Sequence, residues 1–306
     1  MWSSGLKKIM KNPWHLAIAL SQRGLLNWMP DKAYLKCVYR GWMGGKKLNL
    51  KNPQTFNEKL QWLKLYNRKP IYTTMVDKYA SKKFIANLIG EEYVIPCVGG
   101  PWKSVDEIDF DSLPNQFVLK TNHDCGGVVI CKDKSTFDLE KAKEILARHL
   151  KRDYYIEHRE WPYKNVERCI FAEKYLEEES GVEAIDYKVM CFNGKPKLIQ
   201  LHLGRFTYHT QDFYDINWQK QEYELALPKS DIVTPKPEFL DKMLEMSEKV
   251  SEGISQVRCD WYYTGGRLYF GEATFFEDAG FGIFEPKELD YTFGSWITLP
   301  EKTEKK

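Results

Sequence analysis

The chain has 306 residues, enough for two or three modules that each bury a core. Its formal net charge of +2 is close to balance, which argues against a nucleic-acid binder, whose usual footprint is a clustered basic excess. Seven Cys at scattered spacings, with no C-x-x-C, give neither a disulfide framework nor a zinc signature, and an odd count suits a reducing cytoplasm.

Residues from about Leu6 to Tyr72 read as helices, with turns at Met29-Pro30, Gly44-Gly45 and Asn52-Pro53. The apolar stretch from His15 to Leu20 is too short to span a bilayer, and no small-residue cleavage pattern follows it. Packing on the rest of the protein is expected for this first helix, with a peripheral membrane contact as the alternative. Thr55-x-x-Glu58 is a capping box that starts a helix carrying Leu60, Trp62, Leu63 and Leu65. Next come a helix from Asp77 to Ile89, a strand from Tyr93 to Cys97, and strands Gln116–Lys120 and Gly127–Cys131 around a polar glycine turn. A helix over Asp138–Arg152 leads into an aromatic loop, Tyr154 to Tyr163, that has no clear periodicity.

Arg168 to Leu176 reads as a strand, and Asp186–Phe192 with Lys195–Leu201 as a hairpin around Asn193-Gly194. A helix over Glu238–Ser251 precedes a last hairpin, Val257–Tyr263 with Arg267–Thr274. Hairpins separated by helices predict an α+β fold.

Alternation places Arg258 and Asp260 on one face of the last hairpin, with Val257, Cys259 and Trp261 on the other. With a three-residue turn, Thr264-Gly265-Gly266, Glu272 falls one diagonal step from Asp260 on the same face. Two carboxylates can then converge on one hard cation. A two-residue turn would put them on opposite faces. The alternative, an exposed face of salt-bridged charges, is countered by the aromatic residues from Trp261 to Phe276 around them, where unpaired charge is costly.

Earlier in the chain, Lys120 ends a strand before Gly126-Gly127, and such glycines let a backbone approach phosphate closely. It is no Walker A loop, and a tight hairpin would also need the Gly pair. Asp77-Lys78-x-x-x-Lys82 adds cations whose simplest reading is a solvated helix end.

In order, these segments resemble the ATP-grasp superfamily, and most of all its branch named after the teichuronopeptide biosynthesis protein TupA. The resemblance runs from about Leu48 to Gly294. Phe56-Asn-Glu-Lys-Leu60, Asp77-Lys78-Tyr79, Phe117 to His123 with Gly126-Gly127, Ala172 to Leu176, and Arg258-x-Asp260 with Gly271 to Phe275 carry it. It implies a helical region over 1–75, ATP-grasp subdomains over 76–165 and 166–300 clasping ATP between them, and a tail over 301–306. Lys78 and Lys120 would contact phosphates, with Gly126-Gly127 as a mobile loop over them. Glu173 and the backbone of Lys174 and Leu176 would read adenine. Asp186, which shares its strand face with Lys188, or one of Glu177 to Glu179 would hold the ribose. Asp260 and Glu272 would bind Mg²⁺, with Mn²⁺ as an alternative, and Arg258 would steady the transferred phosphate. The superfamily often has Asn where Thr274 stands, so a ligating role for Thr274 does not carry over.

The implied chemistry is carboxylate activation by ATP followed by amide formation with an amine, with a uronic-acid or amino-acid carboxylate, free or nucleotide-linked, in surface polysaccharide assembly. A cytoplasmic protein, free or at the inner membrane face, is expected. Arg205, His202, His209 and the aromatic loop with Arg159 are the candidate substrate residues. Rival readings are a glycosyltransferase, resting on Asp109-Phe110-Asp111, and a sugar kinase using the same cleft. A non-catalytic protein gives no reason for the Asp260, Glu272, Lys120 and Glu173 set.

Overall fold

The computed structural model describes residues 13–176, 185–204, 208–225 and 227–303. They form an α+β architecture of two antiparallel sheets with helices around them. The larger sheet has six strands in the order β10-β9-β5-β6-β7-β8: β5 Asp186–Phe192, β6 Lys195–Leu203, β7 Thr210–Asp215, β8 Lys220–Gln221, β9 Gln256–Thr264 and β10 Arg267–Thr274. The smaller has four, in the order β1-β4-β2-β3: β1 Cys97–Trp102, β2 Phe117–Thr121, β3 Val128–Cys131 and β4 Ile170–Lys174.

The larger sheet is buried on both faces, for different reasons on each. Val189, Cys191, Val257, Cys259 and Trp261 lie under the helix Leu240–Ser251, where Trp261 Nε1 donates to Ser247 Oγ at 2.9 Å. On the opposite face Phe192 packs edge-on against Phe293 and Trp296 of the helix Glu288–Trp296, and lies near Phe56 of the helix Phe56–Tyr66. Toward the other end of that face the row becomes polar, with Lys188 paired to Asp260 and Asp186 paired to His202. This half-apolar, half-charged face is what opens onto the site. In the smaller sheet Phe117 and Leu119 pack with Leu146 of the helix Leu139–Leu150, leaving Val118 and Lys120 for the other side.

The capping box at Thr55 forms as read, with Glu58 N donating to Thr55 Oγ1 at 3.2 Å. Several expectations shift. The strand expected over Tyr93–Cys97 begins only at Cys97, because Glu91–Tyr93 is a 3₁₀ turn. The expected helix from Asp77 starts at Ala80, since Asp77 Oδ1 accepts from the N–H groups of Tyr79 and Ala80 at 2.9 and 3.0 Å. The aromatic loop resolves into a short helix, Tyr154–His158, and a 3₁₀ turn, Trp161–Asn165. Strands β7 and β8 and the helix Glu288–Trp296 were not anticipated. β4 lies beyond the expected break at 165/166, yet it sits in the middle of the smaller sheet, so the division between sheets falls after Lys174. Among the described residues no helix is long and apolar enough to cross a membrane.

The Glu288–Trp296 helix approaches the Thr55 cap closely enough to require glycine. A Cβ on Gly294 would stand 2.7 Å from Phe56 N and still closer to the Gln54 carbonyl, both backbone atoms that cannot swing aside. Gly294→Ala should therefore cost about 1–3 kcal/mol, read as a lower urea midpoint at unchanged slope. A midpoint equal to that of the unaltered protein would contradict this packing.

Candidate functional site

A cavity of about 1380 Å³ lies between the two sheets and continues toward the N-terminal helices. Ligand pockets commonly measure about 300–1,000 Å³, so it has room for more than one small ligand.

The last hairpin supplies its acidic wall by a route the sequence reading did not foresee. Arg267 pairs with Thr264, so the turn is the two residues Gly265-Gly266, both at positive φ, and not the expected three. By that count Glu272 would point away from Asp260. A β-bulge between Phe270 and Glu272 inserts Gly271, shifts the register by one and sets Glu272 directly opposite Asp260. Glycine fits the bulge because a Cβ there would meet the Tyr262 ring at 2.7 Å. The shared face survives, with the two residues directly opposed instead of diagonal.

Around this pair every charge has a counter-charge. Asp260 is 3% exposed and accepts from Arg258 Nε at 2.6 Å, Arg258 Nη2 at 2.7 Å and Lys188 Nζ at 2.6 Å. Arg258 also donates to Glu277 at 2.6 Å and to Thr274 Oγ1 at 3.3 Å. Lys78 Nζ reaches Glu272 at 3.3 Å. Burial works to raise the Asp260 carboxyl, but Arg258 and Lys188 outweigh it and hold it at about 2. Glu272 is lowered in the same way, with Lys78 overcoming burial.

The smaller sheet supplies a second set of charges. Glu173, 5% exposed, is held by Lys82 at 2.6 Å and by Lys120. Burial raises its carboxyl, and the two lysines more than reverse that. Lys82 also donates to Ile95 O at 2.7 Å. The solvated-helix-end reading of Lys78 and Lys82 is therefore wrong: both ammonium groups turn into the cleft network.

The glycine turn is firmly based. Asp124 accepts from Thr121 and lies against His149, its carbonyl takes Lys78 Nζ at 2.8 Å, and Arg152 donates to Cys125 O at 2.9 Å. Gly127 is buried where a Cβ would collide with Thr121 Oγ1, so close packing is what requires it. Of the expected mobile pair, only Gly126, exposed with φ +92°, stands at the cleft.

Beside Lys120, the side chains of Val118, Val128 and Ile130 line the cleft, the last two exposed, and make an apolar floor that the sequence reading missed. Lys174 and Leu176 line the same end. Lys174 N–H is committed to Pro96 O at 2.9 Å, which narrows a ligand-reading role for this residue to its carbonyl. Asp186, 5% exposed, lies 3.9 Å from Lys188. His202 faces Asp186 across β5 and β6, and its Nδ1 meets His209 Nε2 at 3.0 Å, beyond the residues that line the cavity. Arg205 and Glu177 to Glu179 fall outside the described residues.

Arg159 is not a substrate residue. It is 3% exposed, donates to Asn27 O at 2.9 Å, and lies 4.3 Å over the Tyr34 ring, so it ties the 154–165 segment to the N-terminal helices. Asp109-Phe110-Asp111 is a surface turn in which Asp109 accepts from Ser112, away from the cavity lining. Glu277 has no part in the sequence reading, and Lys82 enters it only as a solvated helix end. A carboxylate following Phe275-Phe276 was the available signal for Glu277, since an acid among aromatic residues needs a partner.

The donor set can be tested against a metal. Among the described residues no group of three or more His, Cys, Asp or Glu is gathered to hold one. Two opposed carboxylates fit Mg²⁺, which keeps waters and is completed by substrate phosphates, and poorly fit a resident metal caged by protein alone. Thr274 Oγ1 is engaged with the Arg258 guanidinium, which gives it a positioning part instead.

Comparison with curated proteins found no match. Solved structures similar to this chain include the D-alanine–D-alanine ligase of Helicobacter pylori, at 16% identity over 79% of this chain and 69% of that one, with a TM-score of 0.44. The L-amino acid ligase of Bacillus licheniformis matches at 14% identity over 80% of this chain and 55% of its own, also with a TM-score of 0.44. The D-alanine–D-alanine ligase of Bacillus anthracis complexed with ATP matches at 18%, over 66% and 53%, with a TM-score of 0.38. The chain thus spans about half the length of some of the enzymes it matches. Residues 58–298, most of the sequence, match the family described as TupA-like ATPgrasp. The chain belongs to the TupA-like ATP-grasp family.

Proposed function

We propose that this protein is an ATP- and Mg²⁺-dependent carboxylate–amine ligase. The observation that carries the reading is the opposed pair Asp260 and Glu272, met in one cleft by Lys78, Lys188 and Arg258. Across the cleft the carboxylates hold these cations in place. Bound Mg²⁺ would be held by Asp260 and Glu272 and would neutralise charge on the phosphates. Lys78, Lys120 and Lys188 are then free to turn to phosphate oxygens, and Arg258 to the group in transfer. Adenine would lie on the Val118, Val128 and Ile130 floor, with Glu173 and the Lys174 carbonyl at its edge and Asp186 toward the ribose.

In the reaction, a substrate carboxylate oxygen attacks the γ-phosphorus, the bond to the bridging oxygen breaks, and ADP leaves. The amine nitrogen then attacks the acyl carbon, the carbon–oxygen bond to phosphate breaks, and the amide forms with loss of a proton. A uronic-acid or amino-acid carboxylate, free or nucleotide-linked, in surface polysaccharide assembly is the substrate class favoured by the likeness to the TupA branch. Seven free cysteines among the described residues suit a cytoplasmic setting. The glycosyltransferase reading has lost its support, since its D-x-D stands on a surface turn.

Two outcomes follow. In a panel of uronic acids, amino acids and amines, ADP should form only when a carboxylate and an amine are both present. Glu272→Gln should lower that rate about a hundredfold or more with folding intact, because Glu272 is partly exposed. Asp260→Asn should do the same, with a cost in stability as well, because it strands the buried Arg258 and Lys188. Consumption of a nucleotide-sugar without ADP would show the ligase reading to be wrong. Separately, chelation with EDTA should stop ADP release, and Mg²⁺ or Mn²⁺ should restore it; turnover indifferent to EDTA would contradict the role given to the acidic pair.

A further inference from the structure

The cavity continues past Arg258, between the 154–163 segment and the loop after β10, where Tyr154, Glu160, Tyr163, Asp278 and Phe281 line it. None of these has a part in the nucleotide pose proposed above. Glu160 is 5% exposed, and among the described residues its carboxylate makes no hydrogen bond or close ion pair, although it reaches the cavity wall. The cation whose charge acts on it, Lys64, is fully buried and donates to the carbonyls of His158 at 2.9 Å and Ala279 at 2.7 Å. Asp278 is exposed into the same cavity at φ +45° and also lacks an ion pair, while its neighbour Glu277 is taken by Arg258.

A carboxylate buried without hydrogen-bond partners is costly, and this one faces a space large enough for a second ligand. An anionic ligand there would add like charge to Glu160 and Asp278. A ligand cation would give each a direct ion pair, which neither makes among the described residues, with the Tyr154, Tyr163 and Phe281 rings as walls that also favour positive charge. Neither the Tyr154 nor the Tyr163 hydroxyl has a hydrogen-bond partner among the described residues. The phenols lie between the two acidic regions: burial first, then Glu160, and more weakly Glu272, push both upward.

We infer that Glu160 and Asp278 form an ammonium-binding subsite that receives the amine substrate at the Arg258 end of the cleft. The inference rests on the ligase reading in naming that cation the second substrate. Burial outweighs the pull of Lys64 and pushes the Glu160 carboxyl up to about 7. The position suits attack on an activated carboxyl, because Arg258 is joined to this loop through Glu277 at 2.6 Å.

The test is calorimetric titration of the full chain, saturated with MgADP, with three amines: ethanolamine, glucosamine and L-glutamate. Their hydroxyl counterparts are ethylene glycol, glucose and 2-hydroxyglutarate. At least one amine should bind tenfold or more tightly than its counterpart. That preference should vanish in Glu160→Gln and in Asp278→Asn, with MgADP affinity unchanged. Asp278→Asn, on an exposed loop, decides the matter if Glu160→Gln does not fold. No amine binding, equal affinity for amine and hydroxyl compounds, or a preference that survives in the variants would each overturn the subsite. Because binding is read, ADP formation without amide would sink the ligase reading and leave this result standing.

Discussion

The cleft depends on the contact between Asp260 and its two cations. A buried carboxylate taken alone would be protonated or would destabilise the sheet, and here Arg258 grips both of its oxygens while Lys188 meets it from the neighbouring strand. The rest of the site is arranged around that pairing. Arg258 is steadied by Glu277 and Thr274, and Glu272 is brought opposite by the Gly271 bulge and takes Lys78 from the other side of the cleft. These charges are mutually satisfied, and in the proposed ligase a polyanion and its metal would repartner them.

The scaffold explains how so much charge can be held at a sheet surface. One face of the larger sheet is sealed by the Leu240–Ser251 helix, and the other is sealed at one end by the aromatic cluster of Phe56, Phe192, Phe293 and Trp296. The polar end of that second face lines the cavity shared with the smaller sheet. The glycine turn is anchored through Asp124, His149 and Arg152, so approach to a nucleotide would come from its Cys125-Gly126 tip.

Much of this was legible in the sequence, for identifiable reasons. Strong local signals, such as the Thr55 capping box, Asn193-Gly194 and the alternation of β9, fixed elements whose neighbours need not be known. Asp260 and Glu272 were paired correctly from an incorrect turn length, because the two-residue turn was compensated by a bulge at Gly271, and a bulge depends on where the Tyr262 ring lies in space. Lys82 reads as a solvated helix end, and Glu277 does not stand out, because each gains its meaning from a partner distant in sequence: Glu173 for the first, Arg258 for the second. Arg159 was misread for the converse reason. Its partners, Asn27 O and the Tyr34 ring, lie in a region that had offered no chemistry, and an arginine near aromatic residues looks the same in sequence whether it binds a ligand or ties two segments together. The short strands β7 and β8 carry too little periodicity to be found without the sheet they extend.

In the proposed ligase Asp260 and Glu272 hold cations in place for a metal–nucleotide complex. Calorimetric titration of ATP in the presence and absence of Mg²⁺, on the unaltered chain and on Glu272→Gln, tests it without knowledge of either substrate. Mg²⁺ should tighten ATP binding at least tenfold in the unaltered chain, and this gain should be lost in Glu272→Gln; equal affinity for ATP with and without Mg²⁺ in the unaltered chain would contradict that role for the pair.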